Sequence, residues 1–237
     1  MTGRQYSKIF VLSIFQICLC LFPRYVSGQA DKQAMVDSLL RVVETTDDLE
    51  DKKTALTSLC IHYRYEGDWE NHNTIIQEMF LAQEEKADSA YLADIYNQLG
   101  IANSLRGENE ESLKYFQEAL KINNARGHMF GVSAMYENLA QIYSEMGDYG
   151  SAVENLLKSI EIKKEHNLAR VFNIYIKLAS LQHILKTDKV DYYIGLARQE
   201  LQAMDSIQPR DQVVFYHELG NIYRDRGMYD SSIVYNR

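Results

Sequence analysis

A leucine followed at once by a small residue recurs along this chain, at Leu59-Cys60, Leu99-Gly100, Leu139-Ala140, Leu178-Ala179 and Leu219-Gly220. The spacings are 40, 40, 39 and 41 residues. A period of that length marks an array of like units, none of which can bury its own apolar face without a stacked neighbour. The surroundings of each pair return as well. Three residues past the small one stands Tyr63, Asn103, Tyr143, Gln182 or Tyr223, and Gly67, Gly107, Gly147 or Gly227 follows in four of the five units.

Such a unit reads as two antiparallel helices. Hydrophobic residues make up 46% of the chain and its only prolines are Pro23 and Pro209, so little interrupts helical hydrogen bonding. The small residue marks the spot where the second helix crosses the first, and a larger side chain there costs about 1–3 kcal/mol. The leucine fills the seam beside that crossing, worth about 2–5 kcal/mol on truncation to alanine. The glycine ends the first helix in a left-handed conformation, and Asp68 and Asp148 cap the next one. Second helices carry a matching stripe: Ser112, Phe116 and Ala119 in one unit, Ala152, Leu156, Ser159, Ile160 and residues 162–163 in the next. Glu154, Lys158 and Glu161 point outward. In the fourth unit Lys186-Thr187-Asp188 replaces the glycine turn and Ala197 comes one residue early. Its second helix, near 190–204, is expected to form with less regular packing, and Pro209, with Gln208, Arg210 and Asp211 around it, to separate it from the fifth unit.

These units resemble tetratricopeptide repeats, whose first helix reads aromatic, two residues, Leu-Gly, two residues, Tyr. Tyr216-His217-Glu218-Leu219-Gly220-Asn221-Ile222-Tyr223 fits that pattern almost in full. The resemblance implies an all-α, right-handed superhelical solenoid of antiparallel helix pairs over 51–237. About five units start near 53, 93, 133, 172 and 213, the last incomplete. The family period is about 34 residues; the surplus of about six, roughly 1.7 helical turns, is placed at the junctions between units, as near 82–92. HEAT repeats also run about 40 residues, but the Leu-small-x-x-Tyr and Gly-Asp-Tyr signatures favour the tetratricopeptide form.

The resemblance also implies a concave groove lined by first-helix residues away from the seam. The matching positions are Thr57 and Ile61, Asn97 and Ile101, Glu137 and Gln141, Ile176 and Ser180, and His217 and Asn221, with Arg64 and Arg224 three residues further along. A protein or peptide ligand is the partner such a groove takes. The subgroup that clamps a carboxylate needs lysines at several of these positions, and this chain lacks them.

Residues 1–28 read separately, as a secretory signal: Arg4 and Lys8, an uncharged stretch over 9–22, Pro23, then Val26-Ser27-Gly28. An uncleaved anchor is the alternative. Ile17 and Leu19 are too large to precede a lipidated cysteine, so Cys18 and Cys20 do not read as a lipoprotein site. Past the signal, Met35, Leu39, Leu40 and Val43 mark an N-terminal cap helix over 31–47, and the acidic run 47–51 reads as a solvated linker. No stretch of 29–237 is apolar for the roughly 20 residues a membrane span needs. Cys60, the only cysteine beyond residue 28, falls at a core position.

The formal charge is −8, and −11 without Arg4, Lys8 and Arg24 of the leader, which disfavours nucleic acid as a partner. The six histidines contain no i, i+4 pair, and there is no phosphate loop or nucleophile motif. No catalytic residue, metal site or cofactor is therefore assigned. The chain reads as a non-catalytic protein-binding scaffold outside the cytoplasm, in the periplasm or beyond. Because the fifth unit stops before its second small residue, the sequence is expected to continue. One alternative is the input region of a histidine kinase or membrane-tethered transcription regulator, with a membrane span and effector downstream. Another is a cytosolic peptide-pheromone receptor.

Overall fold

The computed structural model describes residues 29–84, 88–168, 171–204 and 209–228. The signal at 1–28 and the start of a second helix after Met228 lie outside the described residues. Those described form ten helices and no strand: α1 Gln29–Thr45, α2 Leu49–Glu66, α3 Trp69–Glu84, α4 Ser89–Leu105, α5 Asn109–Ala125, α6 Met129–Glu145, α7 Tyr149–Glu165, α8 Val171–Ile184, α9 Val190–Gln202 and α10 Pro209–Asp225. Each helix from α1 to α8 packs on its successor, α2 also touches α4, and α10 packs back on α8. The even-numbered helices from α2 onward are the first helices of five units.

The long period has a simple origin. In the second and third units every helix is 17 residues long, and three-residue turns join them, so a unit spans forty. The middle residue of each turn is left-handed, Gly107 at φ 76°, Gly127 at 67° and Gly147 at 79°, and Asn167, two residues past the end of α7, takes the same conformation at 52°. These positions lie 20 residues apart, so the joint inside a unit and the joint between units are built alike. After each, the next backbone N–H reaches back to a carbonyl five residues earlier, Glu108 to Asn103 at 2.9 Å, His128 to Asn123 at 2.9 Å, Asp148 to Tyr143 at 2.8 Å and Leu168 to Lys163 at 2.7 Å. This closes carbonyls that a helix end otherwise leaves open. The turn without glycine keeps the geometry, with Lys186 at φ 54°, where a side chain costs about 1–2 kcal/mol.

The seam is as the repeat dictates. Leu59, Leu178 and Leu219 are fully buried and Leu139 nearly so, whereas Leu99 is half-buried against the N-terminal core. The small residues beside them make the crossing. A Cβ on Gly100 would stand 2.5 Å from Phe116 Cε1, and Ser112 Oγ donates to Gly100 O at 2.8 Å. In the first unit Cys60 Sγ lies 3.4 Å from His72 Nε2, both buried, and burial pushes the Cys60 thiol up to about 11. The core runs as three linked clusters along the array, with Tyr143 packed against both the middle and the C-terminal one.

Two segments read from sequence as linkers are helix starts. Asp48 accepts from Glu50 N and Asp51 N at 3.0 and 3.4 Å, so residues 49–51 of the acidic run are the first turn of α2. Acidic side chains favour that end because the unpaired N–H groups there carry partial positive charge. Pro209 opens α10, a position where its missing N–H has no helical partner to lose. The second helix of the fourth unit, α9, packs well: Tyr193, Ile194, Ala197 and Leu201 are all buried.

Candidate functional site

First helices lie side by side along one face, joined by polar contacts between units. Arg64 of α2 donates to Gln98 Oε1 of α4. Asn138 Nδ2 of α6 donates to Asn97 Oδ1 of α4 at 3.0 Å, and Ser104 Oγ lies 3.4 Å from Glu145 Oε2. Nearer the N-terminal ends of α2 and α4, Lys53 is buried and bonds Asp88 Oδ2 at 2.6 Å and Glu50 Oε1 at 3.3 Å. Burial disfavours its charge, but the two carboxylates outweigh this and hold its pKa above the ordinary lysine value; the bond from Lys53 holds Asp88 below the carboxylate range. The same carboxylate caps α4 through Ala90 N and Tyr91 N.

The residues assigned to the groove are spread over this face rather than gathered at one point. Asn97 and Arg64 are engaged in the contacts just given. Ile101 is half-buried against the middle cluster, and Gln141 donates to Glu145 Oε1 at 2.8 Å. Ile61 is exposed and Thr57 bonds the carbonyl of Lys53. Ile176 belongs to the core at 1% exposure and does not line a groove; its neighbour Ser180 bonds back to its carbonyl. On α10, Asn221 Nδ2 lies 3.4 Å from His217 Nδ1, and Arg224 is exposed beside Asp225.

Glu137 lines a cavity on this face. A cleft of about 420 Å³ opens between α6 and α8, lined by Phe130, Ser133, Ala134, Glu137 and Asn138 of α6, Lys163 of α7 and Asn173 of α8. Glu137 Oε1 accepts from Lys163 Nζ at 2.8 Å and from Ser159 Oγ at 3.3 Å. Asn173 Oδ1 is buried with no hydrogen-bond partner among the described residues. Phe130 is 61% exposed at the edge of the cleft. Of these, sequence reasoning assigned only Glu137 to the groove. Asn138 stands one residue past the expected position, although the amide recurrence from Gln98 was there to be seen. Lys163 was assigned to an inward stripe, and only the fold shows that stripe reaching the cleft.

The described residues hold no group of three or more histidine, cysteine or acidic side chains placed to bind a metal, and none of their helices is long and apolar enough to cross a membrane. The tetratricopeptide repeat family profile matches residues 91–165, the segment that forms α4 to α7. Those residues resemble tetratricopeptide repeats in sequence. The tetratricopeptide solenoid extends past them in structure. The fold is similar to that of BtubC from P. vanneervenii, with a TM-score of 0.68 and 21% identity over 87% of this chain and 85% of that one. It is also similar to the apo form of RapI, with a TM-score of 0.66 and 14% identity over 96% and 95%. The apo quorum sensor NprR from B. thuringiensis gives a TM-score of 0.56 and 13% identity over 87% of this chain and 64% of that one. At these identities the likeness is one of fold. No curated protein matches the chain in sequence.

Proposed function

We propose that this tetratricopeptide array is a non-catalytic scaffold that holds a polypeptide along its first-helix face, centred on the cleft between α6 and α8. The observation that carries the proposal is the cleft's composition. An asparagine whose amide oxygen has no partner among the described residues, a partly buried carboxylate and an exposed aromatic ring line one cavity of a repeat array. That mixture suits an extended chain, which offers N–H groups at regular intervals beside apolar side chains. The Asn97–Asn138 bridge holds the neighbouring amide in place, so less ordering is needed on binding.

Binding of the full chain to an array of random 14-residue peptides tests this. The proposal expects a set of peptides whose affinity falls at least tenfold when Asn138 is changed to alanine, with the melting temperature kept within a few degrees. No binding peptide, or peptides indifferent to Asn138→Ala and to Phe130→Ala, would end it.

The place of action follows the leader: we place the scaffold outside the cytoplasm, on residues 1–28. A second reading, a cytosolic peptide receptor, draws on the similarity in fold to the quorum sensor NprR. N-terminal sequencing of the protein from fractionated cells separates them. A mature start after Gly28 supports export, whereas an intact Met1 in the cytoplasm supports the receptor. An input region of a longer signalling protein fits the first of these.

A further inference from the structure

We infer that the cleft between α6 and α8 receives a basic side chain, a guanidinium or ammonium, of the bound polypeptide. The inference rests on the polypeptide-binding reading above and adds what that polypeptide must carry.

Hydrogen-bond accounting in the cleft gives the direction. Asn138 Nδ2 donates to Asn97 and Lys163 Nζ to Glu137, while Ser133 Oγ donates to the carbonyl of Phe130. Three acceptors are left over, beside the spare N–H groups of Lys163 and of the two amides. Asn173 Oδ1 has no partner, and Asn138 Oδ1 and Glu137 Oε2 accept nothing among the described residues. A buried acceptor left unpaired is unfavourable, and a donor from outside removes that penalty. Asn173 Oδ1 lies just beneath the cleft lining, so an incoming donor reaches it only if the amide turns about χ2.

Charge and shape agree. Of the ion pair, Glu137 is the more accessible member, with its side chain 20% exposed against 9% for Lys163, so an incoming group meets the carboxylate first. Phe130 sets an aromatic ring at the edge, 61% exposed, against which a cation gains further attraction. The chain as a whole carries −8, which raises the encounter rate with basic ligands and lowers it with acidic ones. A guanidinium fits best, since it presents several donors in one plane to acceptors on two helices.

The test uses the best-binding peptides from the array and three matched forms of each: arginine or lysine retained, replaced by neutral citrulline, or replaced by glutamate. The expected result is enrichment of basic peptides and a loss of about tenfold or more on citrulline substitution. The discrimination should shrink to about twofold in Glu137→Gln or in Asn173→Leu. The second variant guards against the first failing to fold, because the oxygen it removes has no protein partner. Binding by peptides without a basic residue, or equal binding of the citrulline form, overturns the inference while leaving the scaffold reading intact. So does discrimination that survives in both variants. A chain that binds no peptide at all sinks both.

Discussion

Gly100→Ala is the sharpest probe of how the units are held together. The new Cβ would stand 2.5, 2.6 and 2.9 Å from Cε1, Cδ1 and Cζ of Phe116, where carbon atoms prefer about 3.5–4.0 Å. The ring is 2% exposed and sits between Ser112 and Ala119 on its own helix, both fully buried, so it has little room to withdraw. Moving α4 and α5 apart instead would stretch the 2.8 Å bond from Ser112 Oγ to Gly100 O. Overpacking of this kind costs about 1–3 kcal/mol, and alanine returns about 1 kcal/mol through its better helix propensity. An approach as close as 2.5 Å puts the cost in the upper part of that range, so the net expectation is a loss of about 1–2 kcal/mol, seen as a fall of about 2–8 °C in the melting temperature of the full chain. Circular dichroism at the helical minimum, read against temperature and urea, measures it. The companion is Phe116→Leu, whose smaller side chain leaves space for the methyl. Gly100→Ala with Phe116→Leu should therefore be more stable than the two single effects summed, by about 1 kcal/mol. A single variant as stable as the parent, or strict additivity in the pair, would refute the claim that this contact sets the helix spacing.

The Lys53–Asp88 bond gives a pH signature. Asp88 lies below its free value when folded, so its contribution is present above about pH 3.9 and is lost as pH falls through the folded value. Lys53 lies above its free value, so its contribution is present below about pH 10.4 and fades as pH rises further. Asp88→Asn keeps the cap on α4 and should flatten the acid limb of a stability–pH curve; an unchanged limb would show the bond to be idle. Gly127→Ala, at φ 67°, should destabilise by about 1–2 kcal/mol. Gly195→Ala, inside α9 with nothing within 4 Å of its Cβ, should stabilise by about 0.5–1 kcal/mol, and the two melting temperatures must move in opposite directions. Asn173→Leu removes an unpaired buried oxygen, so its melting temperature should hold or rise; a clear fall would mean that oxygen has a partner.

The seam was legible because it is local: a leucine, a small residue and a glycine at fixed offsets report one helix crossing another within forty residues. The glycine at 127 went unread since its counterpart in the next unit is Asn167, and a left-handed turn filled by two residue types leaves no repeated letter. The acidic run before α2 shows another limit. Asp48 and the residues after it look like solvated charge in sequence, yet one carboxylate is a cap, a distinction that depends on where the first helical N–H falls. The cleft was the least readable part. Glu137 could be placed from the repeat alone, but Asn138, Lys163 and Asn173 come from three helices whose relation is set by how successive units stack. Ile176 failed for the same reason, because a position that faces a groove in one unit faces the core in the next.

Because every hinge between α4 and α7 has one geometry whether it falls within a pair or between pairs, the true building block is a single helix with its bend. Lengthening the protein by one such block would preserve every hinge, yet it would reverse which helices look inward from that point on, presenting outer surfaces to the ligand. Growth by duplication is therefore confined to even steps by what the inner face must display, and the hinges themselves impose no such rule.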